Sequence, residues 1–352
     1  MTCRPITLLA GLALLLAAAA CKKEQDGGGA QLAFDQPIPA QFPAETRLAL
    51  GDPQVRKQLA LMGELDKLPF SVEWANISGG PETIQAFRAG ALDGGSVGDT
   101  PPIHAAFTGL DIKIVMVSWR DQPIYRLVTA PGANIQSLSD LRGKRIGYSP
   151  GQAMGALVQR VLEKTGISQQ DVKLVEINGT EYRDALAGRQ IDVAPLGGVG
   201  MVHFLSEYGA EGARALEHGV KDSLTFFYVR SDVLKDPHKA AALQAYVKTR
   251  ARAQLWAQSH RDVWTEAFYV KDQGLSREQA KSLVQMLGRP QFPSDWSEAI
   301  KLTQETIDMM AAAAGRKSFD ANTIFDRRFE RLAADVAAEV SAQLSLPKGD
   351  KP

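Results

Sequence analysis

The chain has 352 residues, enough for two domains, and its 45% apolar and 23% charged residues are typical of a folded globular protein. Forty basic and forty acidic side chains give a formal net charge of zero, so no basic surplus indicates a nucleic-acid partner. The five histidines show no H-x-x-x-H spacing and no cysteine partners, and no Gly-Lys-Ser/Thr phosphate loop is present. The sequence therefore gives no argument for a metal, a cofactor or catalysis.

The first twenty residues are predicted to be a signal peptide. Residues 6–20 form an unbroken apolar run that is shorter than a membrane span of ~20 residues. The run ends in four alanines before Cys21, which resembles the lipobox of bacterial lipoproteins, although Ala18 stands where that pattern prefers leucine. We expect Cys21 to carry a lipid anchor and residues 21–44, with three consecutive glycines, to contain a flexible tether. The alternative is plain secretion with a free thiol.

Strands and helices alternate from residue 47 onward, which predicts an α/β fold with mostly parallel sheets. A nearly continuous apolar run at residues 112–119 is typical of a strand that is buried on both faces. Other strands are predicted at residues 47–50, 70–77, 92–97, 125–129, 144–148, 172–177, 191–194 and 224–229.

Four helix starts in this part place a cap-like residue before a proline, in the pairs Asp52-Pro53, Gly80-Pro81, Thr100-Pro101 and Ser149-Pro150. Each pair follows a predicted strand. In open α/β sheets the ligand crevice lies beyond the carboxyl ends of the strands, so these starts are expected to face one cleft. The alternative is that they are ordinary helix starts, since proline is common at the first helical position everywhere.

The Ser149 start also matches the G-x-S-x-G pattern of serine hydrolases. That chemistry uses the backbone N–H of the residue after the serine to stabilise the tetrahedral intermediate, and Pro150 has no N–H. We therefore interpret Ser149 as the N-cap of a helix over residues 151–164 and keep the hydrolase as an alternative.

The domain order follows from these elements. Residues 45–129 are predicted to begin a first lobe, and residues 130–222 to form a second one. The strand at 224–229 returns to the first lobe, which residues 223–345 complete with helices at 237–256, 263–268, 277–287, 296–314 and 323–344. Residues 346–352 are predicted to be a disordered tail.

Several segments together resemble the substrate-binding proteins of ABC importers, in particular the aliphatic sulfonate, taurine and nitrate group. In the first lobe they are residues 89–93, 98–103 and 109–111; in the second they are 140–147 and 186–192, and residues 225–256 continue the likeness. The resemblance implies a two-lobed, type II periplasmic-binding-protein-like fold with two mixed sheets, a hinge and a helical C-terminal part.

The resemblance also implies a function. A monomer in the periplasm, or on the outer face of the cell membrane, would capture a small sulfonate-like anion and deliver it to an ABC permease without catalysing a reaction. The alternatives are a serine hydrolase at Ser149 or a thiamine-pyrimidine-type enzyme on the same scaffold.

Ligand contacts in that family come from loops at strand ends, and they are carried over here residue by residue. Trp119 and Met154 are candidates to pack an organic tail, or else they are core residues. Arg120 and Arg126 are candidates to pair with an anion, or else they are solvated. The other implied contacts are Asp52, Ser78, Gly79, Thr100, Ser149, Gln152, Ala153, Tyr182 and Gly197.

Overall fold

The computed structural model describes residues 31–77 and 79–345. Within these residues no helix combines the length and the apolarity that crossing a bilayer requires. The strands are β1 (Arg47–Gly51), β2 (Ser71–Trp74), β3 (Gly94–Gly98), β4 (Ile112–Arg120), β5 (Tyr125–Thr129), β6 (Arg145–Tyr148), β7 (Lys173–Glu176), β8 (Val193–Gly197), β9 (Ala215–Leu216), β10 (Thr225–Arg230) and β11 (Pro290–Gln291).

Helices cover and connect these strands, and one segment is a π-helix, Thr265–Asp272. The α-helices are α1 (Pro53–Met62), α2 (Gly80–Arg88), α3 (Thr100–Phe107), α4 (Ala153–Thr165), α5 (Tyr182–Ala187), α6 (Gly198–Tyr208), α7 (Ser231–Lys235), α8 (Pro237–Ser259), α9 (Arg261–Trp264), α10 (Arg277–Met286), α11 (Ser297–Ala313) and α12 (Leu332–Ser345).

The first sheet has six strands in the order β11-β4-β10-β3-β1-β2. Strands β1, β2 and β3 run parallel, and β10 is antiparallel to both β3 and β4. Thr225, at the start of β10, therefore lies opposite Gly98 at the end of β3 and Ser118 near the end of β4. One edge of this sheet thus collects the carboxyl ends of four strands.

The second sheet has five strands in the order β7-β6-β8-β5-β9, with β5 antiparallel to β8. Both sheets are mixed, as the family resemblance implied, and not mostly parallel, as the alternation of strands and helices predicted. The strand Tyr125–Thr129, which the sequence placed at the end of the first lobe, belongs to this second sheet, where Leu127 lies opposite Pro195. The chain therefore crosses from one sheet to the other before residue 125 rather than after residue 129, and it crosses back before Thr225.

The largest apolar core lies on the six-stranded sheet. The predicted strand over residues 112–119 is confirmed as the buried strand β4, with Ile114 and Val115 fully buried. Phe226 and Phe227 on β10 and Leu48 on β1 are also fully buried. Both faces of these strands are covered. The polar groups of this part of the molecule therefore reach a surface at the carboxyl ends of the strands.

Three of the four proline helix starts are confirmed, since α1, α2 and α3 each have proline in their first two positions. The predicted caps Gly80 and Thr100 are wrong, because both are the first residue of their helix and the N-caps are Gly79 and Asp99. The fourth start is wrong, because α4 begins at Ala153 with Gln152 as its N-cap. Gly151 has φ +72°, a left-handed conformation that ends any helix started at Pro150. The segment before it is a turn closed by the Gln152 N–H bond to the Ser149 carbonyl.

The single helix predicted over residues 323–344 is also wrong. Two short 3₁₀ turns, Ala321–Ile324 and Arg327–Phe329, precede α12. Between them the Asp326 N–H donates to the Ile114 carbonyl of β4. That bond holds residues 325–326 beside β4 in an extended conformation, so the helix cannot continue through them.

Candidate functional site

A cavity of about 810 Å³ lies where β1, β3 and β4 end and β10 begins. Gly51, Ser96, Ser118 and Thr225 come from these strands, and α1 and α8 supply further lining residues. The far wall consists of α9, the π-helical segment Thr265–Asp272 and the end of α10. We call this space the edge cavity. Its volume lies in the range of organic ligand sites, about 300–1,000 Å³.

A buried ion pair forms part of its lining. Arg250 Nε lies 2.7 Å from Asp52 Oδ2, and the Tyr246 hydroxyl donates to the same oxygen at 3.0 Å. Arg250 Nη2 also donates to Ser96 Oγ at 2.7 Å. Burial, followed by the Asp52 charge, raises the pKa of Tyr246 well above its usual value, so this phenol stays a neutral donor. The group is a satisfied network that fixes α8 to the end of β1.

Arg120, at the end of β4, also lines the edge cavity. Its Nη1 donates to the carbonyls of Leu287 and Gly288 at 3.4 and 3.3 Å, and no carboxylate in the described part of the chain forms an ion pair with it. Burial lowers the pKa of Arg120, partly offset by Tyr269 and Asp121, although a guanidinium remains charged in proteins. Arg120 therefore presents a partly buried positive charge at the cavity.

Positive charge exceeds negative charge in the whole lining of the edge cavity. Two carboxylates, Asp52 and Asp272, face five cationic side chains. The cations are Arg56, Lys57, Arg120, Arg250 and Arg261. Asp52 is paired with Arg250, and Asp272 lies 3.1 Å from Lys57. Three arginines thus remain for an anion after these pairs are formed.

Two amide oxygens in the same lining lack hydrogen-bond partners. Gln58 Oε1 and Gln254 Oε1 are buried and accept no hydrogen bond from any described residue. Gln58 is 6% exposed as a whole. A buried acceptor without a partner costs about 1–3 kcal/mol, so both groups favour a molecule that brings a donor into the cavity.

Aromatic rings form the far wall. Trp264 and Phe268 stack with centroids 4.6 Å apart and planes 7° from parallel, and Tyr269 meets the Phe268 ring edge-on at 5.0 Å. Phe268 and Tyr269 belong to the π-helix Thr265–Asp272, and π-helical turns occur frequently at functional sites. The sequence predicted an ordinary helix here, because the apolar spacing of residues 263–268 does not distinguish the two kinds of helix.

A second cavity, of about 1,200 Å³, lies between α4 and α11. Its lining has the opposite charge balance, with three cations and seven carboxylates. Arg160 in this lining pairs with Asp99 at 2.5 Å and Lys221 pairs with Glu298 at 2.7 Å. The third cation is Arg120, which lines both cavities. An anion is therefore favoured in the edge cavity and disfavoured in this one.

The structure places three of the candidate contacts, Asp52, Trp119 and Arg120, in the lining of the edge cavity, and the last two also line the second cavity. Asp52 does not cap its own helix: its carboxylate makes no cap hydrogen bond and is held by Arg250. Arg126 is not free for an anion, because it lies 2.8 Å from Glu217 and donates to two backbone carbonyls.

A second group of predicted contacts lies where the starts of α2, α3 and α4 come together. A Cβ on Gly98 would stand 3.0 Å from the Ala153 Cβ, and one on Gly80 would clash with Pro101. Thr100, the first residue of α3, is buried and donates to Asp99. Gly79, with φ 102°, is the N-cap of α2. The starts of α2 and α3 follow strands of the six-stranded sheet or its connections, and α4 follows β6 of the five-stranded sheet, so this group lies between the two sheets.

Ser149 and Tyr182 form a buried pair, with the Tyr182 hydroxyl donating to Ser149 Oγ at 2.8 Å. The predicted cap role of Ser149 is therefore wrong, since its hydroxyl accepts from a phenol rather than from a helix N–H. Burial raises the pKa of Tyr182 above its usual value, and the bond to Ser149 lowers it less. A neutral phenol is not a base, so this pair does not activate the serine.

The remaining predicted contacts are dispersed. Gln152 Oε1 accepts from the Gly179 N–H at 3.3 Å, and Met154 packs against Gly179. Gly197 ends β8, where a Cβ would meet the Ile124 carbonyl at 2.8 Å. Ser78 and Cys21 lie outside the described residues. No group of three or more His, Cys, Asp or Glu suited to a metal occurs among residues 31–77 and 79–345.

Sequence reasoning missed Arg250, although a signal was present. Leu243, Tyr246, Val247, Arg250 and Ala257 fall on one buried face of α8. A single arginine at an apolar position of a helix requires a partner, because an unpaired buried charge is costly. The position of that arginine does not reveal that the partner is Asp52, 198 residues away.

The topology defines a class of protein. The chain has the fold of the periplasmic binding proteins: it superposes on the alkanesulfonate-binding protein SsuA from Xanthomonas axonopodis pv. citri, bound to MOPS, with a TM-score of 0.68 at 21% identity, over 81% of this chain and 99% of that one. Residues 71–246, half of the chain, match the family model described as NMT1/THI5 like. The chain therefore belongs to the NMT1/THI5-like family.

Two of the curated relatives that are similar in sequence are named for aliphatic sulfonates. One is named an aliphatic sulfonates-binding protein of Escherichia coli, 26% identical over 121 residues, which are 34% of this chain and 38% of that protein. Another, named likewise in Bacillus subtilis, is 22% identical over 276 residues, 77% of this chain and 80% of that protein. The chain thus aligns with less than half of the first relative and with most of the second.

Proposed function

We propose that this protein is the extracytoplasmic substrate-binding component of an ABC importer. It captures a small organic anion with a sulfonate-like head group and delivers it to the membrane permease. The edge cavity is the proposed binding site, with Arg120 as the main anion contact and Trp119 against the organic part. The other predicted contacts stay predictions.

The charge of the edge cavity is the observation that carries this proposal. Its five cationic side chains exceed its two carboxylates, and Arg120 forms no ion pair within the described part of the chain. A guanidinium fork matches the oxygens of a planar or tetrahedral oxyanion. The relatives named for aliphatic sulfonates and the SsuA fold support the same class of ligand.

The proposal includes no chemical step on the ligand. Ser149, the candidate nucleophile, is buried against Tyr182, and the residue after it is Pro150, which offers no N–H to an oxyanion. This arrangement disfavours the hydrolase alternative. A thiamine-pyrimidine-type enzyme on the same scaffold remains the second alternative, and the ligand screen below distinguishes it.

The location and partners belong to the proposal as well. A signal peptide at residues 1–20 would export the chain. A lipid on Cys21 would then hold the monomer at the outer face of the cell membrane, within reach of the permease. These statements rest on the sequence of the first thirty residues and on the names of the relatives.

A thermal-shift screen tests the proposed function. Purified protein is heated with alkyl and aryl sulfonates, sulfate esters, nitrate and pyrimidines. A ligand at a hundred times its Kd stabilises the folded state by about 2.7 kcal/mol, so binding is readily seen. We expect sulfonates to raise the melting temperature. A rise in the melting temperature with a pyrimidine alone, or the absence of a rise with every anion tested, would contradict the proposal.

A further inference from the structure

The far wall of the edge cavity offers more than an apolar surface. Phe268 is half-buried, and one of its faces stacks on Trp264 with the two planes 7° from parallel. Tyr269 stands edge-on to it at 79°. Flat rings in this arrangement favour another flat ring, since aromatic pairs gain about 0.5–1.5 kcal/mol beyond the area they bury.

The backbone that carries Phe268 and Tyr269 is also unusual. The eight residues Thr265–Asp272 are π-helical, whereas π-helix occurs mostly as single turns inserted in α-helices. Trp264 lies at the end of α9, and Phe268 and Tyr269 follow it in the π-helical segment. The π-helical segment sets the shape of the wall.

The size of the cavity argues against a very small guest. Its volume of about 810 Å³ is several times the ~150 Å³ that encloses one benzene molecule. A two-carbon sulfonate bound at Arg120 would leave most of the space and the aromatic wall unused. The unpaired Gln58 and Gln254 oxygens also remain for a substituent that donates hydrogen bonds.

We infer that the edge cavity takes an aryl sulfonate, whose sulfonate group binds at Arg120 and whose ring lies against Phe268. The inference rests on the proposed function, because it assumes that the cavity binds sulfonates. Phe268 is the specificity residue for the ring, and Trp264 positions Phe268 by stacking on its other face.

Calorimetric titration of the purified protein with benzenesulfonate and hexanesulfonate tests the inference, because the two probes share a head group and a carbon count. We expect benzenesulfonate to bind more tightly. The Phe268→Leu variant should weaken benzenesulfonate about three- to tenfold and leave hexanesulfonate unchanged. Phe268→Tyr, which keeps the ring, should retain the preference.

Phe319→Leu is the matched control. Phe319 is also half-buried, contacts one aromatic ring, that of Phe107, and does not line the edge cavity. Hexanesulfonate binding shows that each variant is folded. Equal or tighter binding of hexanesulfonate to the parent protein overturns the inference while the proposed function stands. Equal weakening of both probes by Phe268→Leu also overturns it, and binding of neither probe to the parent overturns both proposals.

Discussion

Asp52 and Arg250 are 198 residues apart in the chain, yet their side chains meet at 2.7 Å and are each only 4% exposed. The pair joins the carboxyl end of β1 to the middle of α8, and it lies in the lining of the edge cavity. A buried pair of this kind adds little stability compared with apolar residues, but losing one partner leaves an uncompensated charge.

Replacing Asp52 with asparagine should lower the free energy of unfolding by about 3–5 kcal/mol, because Arg250 would stay buried without its carboxylate. Urea denaturation measures this change. As a control, Arg47→Gln removes the exposed pair with Glu73, whose side chains are 69% and 61% exposed, and should cost less than about 1 kcal/mol. Equal losses in the two variants would show that burial does not decide the effect.

Replacing Arg120 with glutamine should raise the Kd for a sulfonate about ten- to hundredfold, since a hydrogen bond to a charged group contributes about 1.5–3 kcal/mol. Calorimetry measures the Kd. Arg183→Gln is the control, because Arg183 is exposed and lines neither cavity. An unchanged Kd in the Arg120 variant would place the anion elsewhere.

Replacing Ser149 with alanine should destabilise the protein by about 1–3 kcal/mol, because the buried Tyr182 hydroxyl loses its acceptor. The same change should leave hydrolysis of nitrophenyl esters at the background rate of the parent protein. Tyr182→Phe serves as the paired variant: in a double-mutant cycle the two changes should couple. Esterase activity that disappears with Ser149 would restore the hydrolase alternative.

Asp192 predicts a pH dependence of stability. Burial alone would raise its pKa, but hydrogen bonds from the Arg145 side chain and backbone N–H outweigh burial and hold the pKa below the usual 3.8. A lowered pKa contributes stability above pH ~4 that is lost as the pH falls through the folded-state pKa. Asp192→Asn should therefore cost about 1–2 kcal/mol at pH 7 and progressively less below pH 4.

Urea unfolding at pH 7, 5 and 3 checks this expectation. Asp335→Asn is its control, because Asp335 pairs with Arg331 at 3.7 Å on an exposed helix surface and should change stability little at any of these pH values. A difference between the Asp192 variant and the parent that grows on acidification would have the wrong sign for the Arg145 bond.

Cys21 should carry the lipid anchor that its position directly after residues 1–20 predicts. Expressed with its own leader in a bacterial host, the chain should incorporate labelled palmitate and partition into detergent, whereas Cys21→Ser should be released as unlabelled protein. Cys3→Ser is the control, since Cys3 would leave with the leader and labelling should be unaffected. Labelling that survives the Cys21 change would refute the anchor.

Nine of the eleven strands in the described residues could be predicted, because local patterns determine them, but the two-residue strands β9 and β11 and the order of strands within each sheet could not. The apolar run of β4 and the proline starts of α1, α2 and α3 lie where the sequence places them. The start of α4 could not be predicted in the same way. Ser149 and Pro150 satisfy the local rules for a helix start, but Gly151 takes a positive φ and lies so close to His104 that a Cβ would not fit.

The candidate site was only partly predictable. Asp52 and Trp119 follow from their positions at strand ends, but Arg250 and Phe268 reach the edge cavity through helices that come much later in the chain. No spacing rule connects residue 52 with residue 250. The charge surplus of the cavity is therefore a property of the tertiary structure, and the net charge of zero conceals it.

The opposite charge balance of the two cavities also bears on kinetics. An anionic solute diffusing near the molecule is drawn toward the opening with the arginines and repelled from the one with the carboxylates. Added salt screens this attraction and repulsion. The association rate of the anion should therefore fall as the ionic strength rises.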